Sequence, residues 1–203
     1  KYKNELGPNV SVFCMAIPVG SDFYLPPSFK KDREKNSINY LYSTMNPSIK
    51  CVKAYDELEK HQNEYIQFNT DHHWTGRGAY YAYLAFCNSA GIEPLTVDKF
   101  EIKKINNFIG TLYNYTRCED LKQNKDYVEY FKIPNATRAT CFNENLSSEK
   151  ETKLYAEYAR GGNSYGVFLG SDHPMMRIES DVKNGKKILI IKDSYGNAFA
   201  PFL

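Results

Sequence analysis

Tryptophan occurs once and histidine four times in the 203 residues, and no two of the five cysteines form a C-x-x-C pair. The missing C-x-x-C spacing argues against zinc ribbons and thioredoxin-type redox chemistry. Five is an odd count. Two disulfides with a spare thiol, or five thiols packed as small apolar residues, both fit Cys14, Cys51, Cys87, Cys118 and Cys141. No apolar run has membrane-span length. No charged-then-apolar leader opens the chain. Charge of one sign is also lacking: 26 basic residues face 24 acidic ones, a net +2. Such a balance gives no field for sequence-independent binding to nucleic-acid phosphates. Repeats and low-complexity tracts are absent, which excludes collagen, coiled coil and disorder.

What is present is enough to fold. Hydrophobic residues make up 42%, so a chain of this length can bury a core without metals or disulfides. Tyrosine is abundant at 17 residues, a composition suited to half-buried rings and to sugar or peptide contacts. Val10 to Val19 (VSVFCMAIPV) reads as a fully buried strand. Residues 22–36 read as a loop. A helix is expected from about Asn46 to His61, and a short strand over Tyr65 to Asn69. Gly76 to Ala90 carries apolar residues every three or four positions and ends at Gly91, a natural helix stop. Residues 97–160 are polar and weakly patterned, and read as an insertion or cap with an apolar patch at Phe108 to Tyr113. Tyr165 to Leu169 reads as a strand and Met176 to Val182 alternates. Asn184-Gly185 signals a hairpin turn, and Lys187 to Lys192 (KILIIK) reads as a buried strand. The rhythm predicts one α/β domain with a mostly parallel central sheet flanked by helices. The last strand and half-helix sit where such a sheet ordinarily adds strands. A truncated chain, an incomplete core, or pairing with another chain each accommodates that.

Two segments follow predicted strands and precede predicted helices, the place where open α/β sheets bind ligands. One is Asp71-His72-His73-Trp74-Thr75, where an acid stands beside two imidazoles. Imidazole takes and gives protons near neutral pH, and an acid on its second nitrogen fixes the tautomer. The other is Lys192-Asp193-Ser194-Tyr195-Gly196-Asn197. A serine between strand and helix raises its hydroxyl above the sheet, and the N–H groups that follow suit an oxyanion. Each segment also reads as a plain helix cap. Together they hold the acid, imidazole and alcohol of a serine triad.

Thr70-Asp71-His72-His73-Trp74-Thr75 with Gly78-Ala79, and Ile191 to Asn197 with Pro201-Phe202-Leu203, resemble the two main motifs of the bacterial DHHW protein family. Phe108 to Tyr113 and Gly166 to Pro174 are similar to further family segments. The resemblance runs from about Val10 to the end. The DHHW group is in turn similar to the SGNH hydrolase-like domain of alginate O-acetyltransferases. The resemblance implies an SGNH-like fold with permuted motif order, lacking its C-terminal strands here. It places the acid on Asp71, the imidazole on His73 and the nucleophile on Ser194. The usual Gly-Asp-Ser reads Lys192-Asp193-Ser194. Tyr195, Gly170, Asn197 and Trp74 are the candidates for oxyanion or substrate contacts. The implied activity is hydrolysis or O-acyl transfer on an acyl ester or cell-envelope polysaccharide, outside the cytoplasmic membrane. No cofactor, nucleic acid or membrane span is called for.

Two other readings compete. Asp71, His72, His73 and His173 form a His/carboxylate set for a metal-dependent hydrolase. Against it, adjacent histidines in an extended segment point to opposite sides. A non-catalytic envelope binding or assembly module is the other alternative.

Overall fold

The computed structural model describes residues 2–29 and 33–203. Eight α-helices and seven strands are distributed among them. A short helix α1 (Tyr2–Leu6) leads into strand β1 (Val12–Cys14), which pairs in parallel with β2 (Ile49–Cys51). Between them lie α2 (Ser21–Tyr24) and α3 (Arg33–Thr44), in a stretch whose polarity suggested a loop. Helix propensity is low for most of their residues, so buried apolar anchors hold them rather than local preference. Ile38 is buried in α3 and Phe23 in α2.

The helix α4 (Ala54–Lys60) is shorter than expected because Ile49 to Cys51 are spent in β2. Helix α5 (Gly76–Ala90) matches its sequence pattern. The Thr75 hydroxyl accepts the Gly78 N–H at 3.2 Å to cap its start. Gly91 closes its end at φ 67°, the left-handed conformation that favours glycine. Ala79, Tyr80, Ala82, Tyr83, Ala85, Phe86 and Cys87 are buried, which makes α5 the axis of the core. It packs against α4, against β4 (Asp126–Lys132) and against α8 (Gly196–Phe199).

Residues 97–160 hold the antiparallel pair β3 (Glu101–Phe108) and β4, joined through α6 (Thr111–Thr116) and α7 (Glu119–Gln123). They also hold β5 (Thr137–Phe142) and β6 (Glu149–Thr152). With β7 (Met175–Ser180) these form an antiparallel sheet in the order β6-β5-β7. The architecture is therefore mixed α/β, but the expected mostly parallel central sheet is not what forms. Among the described residues the sheets have two or three strands, and only β1–β2 is parallel.

Two local expectations change accordingly. Tyr65 to Asn69 keeps a single bridge, Gln67 to Trp74, in place of a strand. Tyr165 to Leu169 does not extend as a strand either: it overlaps a 3₁₀ segment, Gly161–Val167. The largest change concerns Lys187 to Lys192, which forms no strand. Leu189 and Ile191 are 89% and 88% exposed. It pairs with no strand among the described residues, so it has no ladder. Asn184-Gly185 consequently makes no hairpin, although Gly185 does take φ 68°.

The five cysteines are all free thiols, and only Cys87 is buried. After the exposed run the chain dives inward. Ala198, Phe199, Ala200 and Phe202 are buried. The Phe202 ring lies 5.4 Å from Tyr83 and 5.5 Å from Phe100. This aromatic packing on α5 fixes the turn that carries Ser194. No helix among the described residues is long and apolar enough to cross a membrane.

Candidate active site

The Asp71–Thr75 segment bends sharply before α5 instead of extending. The bend explains a departure from the sequence reading. The His72 and His73 rings do not point to opposite sides, and their centroids are 3.9 Å apart. His73 is buried, whereas the His72 side chain is 41% exposed.

Asp71 is fixed from three directions. Its Oδ1 accepts the His73 ring Nδ1–H at 2.6 Å and the His73 backbone N–H at 3.0 Å. Its Oδ2 accepts the Thr111 N–H at 2.8 Å and the Thr111 hydroxyl at 3.0 Å. Burial alone would raise this carboxyl, but the bonds from the His73 ring, the Thr111 N–H and the His73 N–H hold it well below the usual carboxylate range. Asp71 is therefore an anion wherever the imidazole can act.

The far side of the imidazole meets the second motif. His73 Nε2 is 2.8 Å from Ser194 Oγ, across 121 residues of sequence. The acid, imidazole and alcohol form one continuous hydrogen-bonded row. Ser194 sits in the turn before α8, where the Gly196 N–H donates to the Asp193 carbonyl and the Asn197 N–H to the Ser194 carbonyl. Two bonds lace the motifs together. The Trp74 indole N–H donates to the Tyr195 carbonyl at 2.9 Å, and the Tyr195 hydroxyl donates to the His72 carbonyl.

A second layer comes from the β3–β4 pair. Asp126, at the start of β4, is 3% exposed. Its Oδ1 accepts the Tyr65 hydroxyl at 2.6 Å and the Asn69 N–H at 3.0 Å, and its Oδ2 accepts the Thr70 N–H at 2.7 Å and hydroxyl at 2.6 Å. Thr70 Oγ1 in turn accepts the Gly110 N–H at 3.0 Å. Gly110 stands so close that a β-carbon there would lie 2.3 Å from Asp71 Cβ. Tyr165 stacks on His73, with centroids 4.0 Å apart and planes 12° off parallel. Sequence reasoning missed Thr70, Gly110, Thr111, Asp126 and Tyr165 as site residues. Thr70 stands inside the first family motif and Gly110-Thr111 inside the Phe108–Tyr113 segment, whereas Asp126 and Tyr165 carried no visible signal.

The remaining candidates are placed differently. Trp74 is fully buried and offers no face to a ligand. The Tyr195 N–H is already engaged by Asp193 Oδ1 at 3.0 Å. Asn197 is buried, and its Nδ2 donates to Asp172 at 2.9 Å while its Oδ1 has no partner among the described residues. Gly170 lies in the left-handed region at φ 79°, between Leu169 and Ser171, which also have positive φ. The nearest neighbours of a β-carbon at Gly170 would be Ala156, His173 and Tyr158. The Ser194 N–H has no partner among the described residues. Arg77 is tied to Glu129 at 2.9 Å.

Asp71, His72 and His73 bring potential metal-ligand atoms within 4.8 Å of one another. Of their ring nitrogens, His73 Nδ1 bonds Asp71, His73 Nε2 faces Ser194 and His72 Nδ1 meets the Thr111 hydroxyl at 2.6 Å. His173 lies outside this group, against the Leu169 carbonyl at 3.1 Å.

A family model described as DHHW protein matches residues 4–203. The chain belongs to the DHHW family. A DHHW family protein from Eubacterium siraeum is similar at 33% identity and TM-score 0.87, covering 99% of this chain and 68% of that one. Bacillus cereus PatB1 is similar at 19% identity in two structures, one carrying a sulfonyl adduct. Their TM-scores are 0.75 and 0.74, over 95% of this chain and 67% and 70% of theirs. At that identity the likeness is one of fold. No curated protein matches the chain.

The Asp71 charge has a measurable consequence in this DHHW protein. A carboxyl depressed by folding stabilises the fold above its unfolded pKa of about 4, and that contribution is lost as pH falls below it. His72 acts in the same sense, since burial and then the neighbouring His73 lower its pKa. Its neutral form is favoured by folding, and this support is lost on acidification. Asp71→Asn is therefore expected to melt below wild type near neutral pH, with the gap beginning to narrow only as pH falls below about 4. Melting curves across that range test it. A gap that stays constant would remove ionisation from the account.

Proposed function

We propose that this chain is a serine-dependent acyl-ester hydrolase or O-acyltransferase acting on a cell-envelope or extracellular polysaccharide. The observation that carries the reading is the unbroken row Asp71–His73–Ser194, with links of 2.6 and 2.8 Å. Ser194 Oγ attacks the ester carbonyl and forms a bond to its carbon, while the hydroxyl proton passes to His73 Nε2. Asp71 holds the ring tautomer and stabilises the imidazolium. The Ser194 N–H is the donor left free for the oxyanion. The Tyr195 N–H joins it only by leaving Asp193. Collapse breaks the bond to the alcohol, which takes the proton from Nε2. Water (hydrolysis) or a sugar hydroxyl (transfer) then attacks the acyl-serine, gives its proton to Nε2, and Ser194 departs with it.

Two further points support this reading. The sequence resembles, through the DHHW group, the SGNH-like domain of alginate O-acetyltransferases, which motivates the polymer substrate and the location outside the cytoplasmic membrane. The shared fold with PatB1, one structure of which carries a sulfonyl adduct, fits a site built around an activated nucleophile, the kind of group electrophilic probes capture. The test is a fluorophosphonate probe followed by peptide mapping. Wild type is expected to label at Ser194 and Ser194→Ala to stay unlabelled. An unreactive wild type, or equal labelling of the variant, overturns the assignment.

A further inference from the structure

The acyl-transfer reading underlies one extension, to a side chain in neither main motif. We infer that Tyr165 is a positioning residue that holds the His73 imidazole in the plane joining Asp71 and Ser194. Its 3₁₀ segment, Gly161–Val167, is remote in sequence from the His73 loop, yet its side chain grips both motifs. The ring face lies parallel to His73 at 4.0 Å. The hydroxyl donates to the Ser194 carbonyl at 3.0 Å. Tyr165 is itself held edge-on by Phe68 at 6.2 Å and Phe168 at 5.3 Å.

The need for such a residue follows from the geometry of the row. Two hydrogen bonds fix the imidazole nitrogens along the Asp71–Ser194 line, but they resist out-of-plane tipping weakly. A flat ring at van der Waals distance resists it strongly. The His72 and Tyr195 rings also approach, at 3.9 and 4.9 Å, but they are tilted by 36° and 55°. Among the described residues only Tyr165 offers His73 a parallel face. An aromatic face also favours the positive charge that His73 gains during attack. Burial, and then the Asp71 carboxylate nearby, push the Tyr165 phenol well above its usual range, so its hydroxyl stays a donor.

The experiment compares Tyr165→Phe, which keeps the ring, with Tyr165→Met and Tyr165→Leu, which remove it. Hydrolysis of an activated acetyl ester is measured with the downfield proton resonance of the His73–Asp71 bond, and melting curves identify folded variants. Tyr165→Phe is expected to keep kcat within about five-fold, while the ringless variants lose about 50-fold in kcat at unchanged KM. They are also expected to broaden or lose the resonance. In a His73→Ala background Tyr165→Met should change the residual rate by less than about two-fold. A folded ringless variant with wild-type kcat and resonance overturns the inference, as does an equal loss in the His73→Ala background. If wild type shows no Ser194-dependent turnover, the acyl-transfer reading falls, and the resonance alone decides the role of Tyr165.

Discussion

Replacing Ser194 or His73 by alanine is expected to lower kcat for an activated acetyl ester by about a thousandfold or more each. The size follows from the row of hydrogen bonds. Without Ser194 there is no alcohol to accept the acyl group, and without His73 its proton has no acceptor within 2.8 Å. Because the two act as one unit, the double variant is expected to be no slower than either single one. Steady-state kinetics on the three proteins, with melting curves to show each is folded, check this. Additive losses would mean that the serine and the imidazole work in separate steps. KM should move little, since neither side chain is needed to seat the ester.

The second large effect is expected at a residue with no chemistry of its own. Gly110→Val inserts a β-carbon where only 2.3 Å separates it from both Asp71 Cβ and Asp71 Oδ2. Either Asp71 swings off His73 or residues 110–111 withdraw. In the second case the 2.8 Å bond from the Thr111 N–H to Asp71 and the 3.0 Å bond from the Gly110 N–H to Thr70 are lost. A displacement of about 1 Å at a site of this kind costs on the order of a hundredfold in rate, and overpacking costs about 1–3 kcal/mol of stability. The expected result is a folded but less stable protein, with kcat down about a hundredfold and the His73–Asp71 proton resonance disturbed. An unchanged kcat would show that the loop has slack which the close approach conceals.

The parts of the molecule that were legible in sequence are those whose signal is local. Helix α5 was readable from its apolar spacing and from Gly91, which stops it by backbone conformation within a turn, whereas the cap at its start is Thr75 and not the acid Asp71 that the sequence offered. Asp71, His73 and Ser194 were readable as residue types before predicted helices and, through family resemblance, as a set, although neither strand expected ahead of them forms. The long-range framework was not. The run at Lys187 to Lys192 has strand composition, but a strand also needs a neighbour, and composition says nothing of where one lies. Tyr165 to Leu169 has the short apolar run of a strand, but such a run fits either form, and its first half belongs to the 3₁₀ segment Gly161–Val167. Asp126 and Tyr165 reach the site only through tertiary contacts. In sequence, Asp126 is an acid in a polar stretch and Tyr165 one tyrosine among 17. Thr111 and Gly110 became site residues because a bulge near Asn107, at φ 65°, turns the end of β3 toward the first motif.

The spacing of the two motifs bears on when the chemistry first becomes available. The imidazole leaves the ribosome 121 residues ahead of the alcohol, and until the later segment arrives the earlier loop has nothing to activate. The Trp74 bond to the Tyr195 carbonyl and the rings packed on α5 hold the alcohol in register with the imidazole. On the proposed reading, the imidazole waits for the later segment, and the row that would activate Ser194 exists only where both motifs have met.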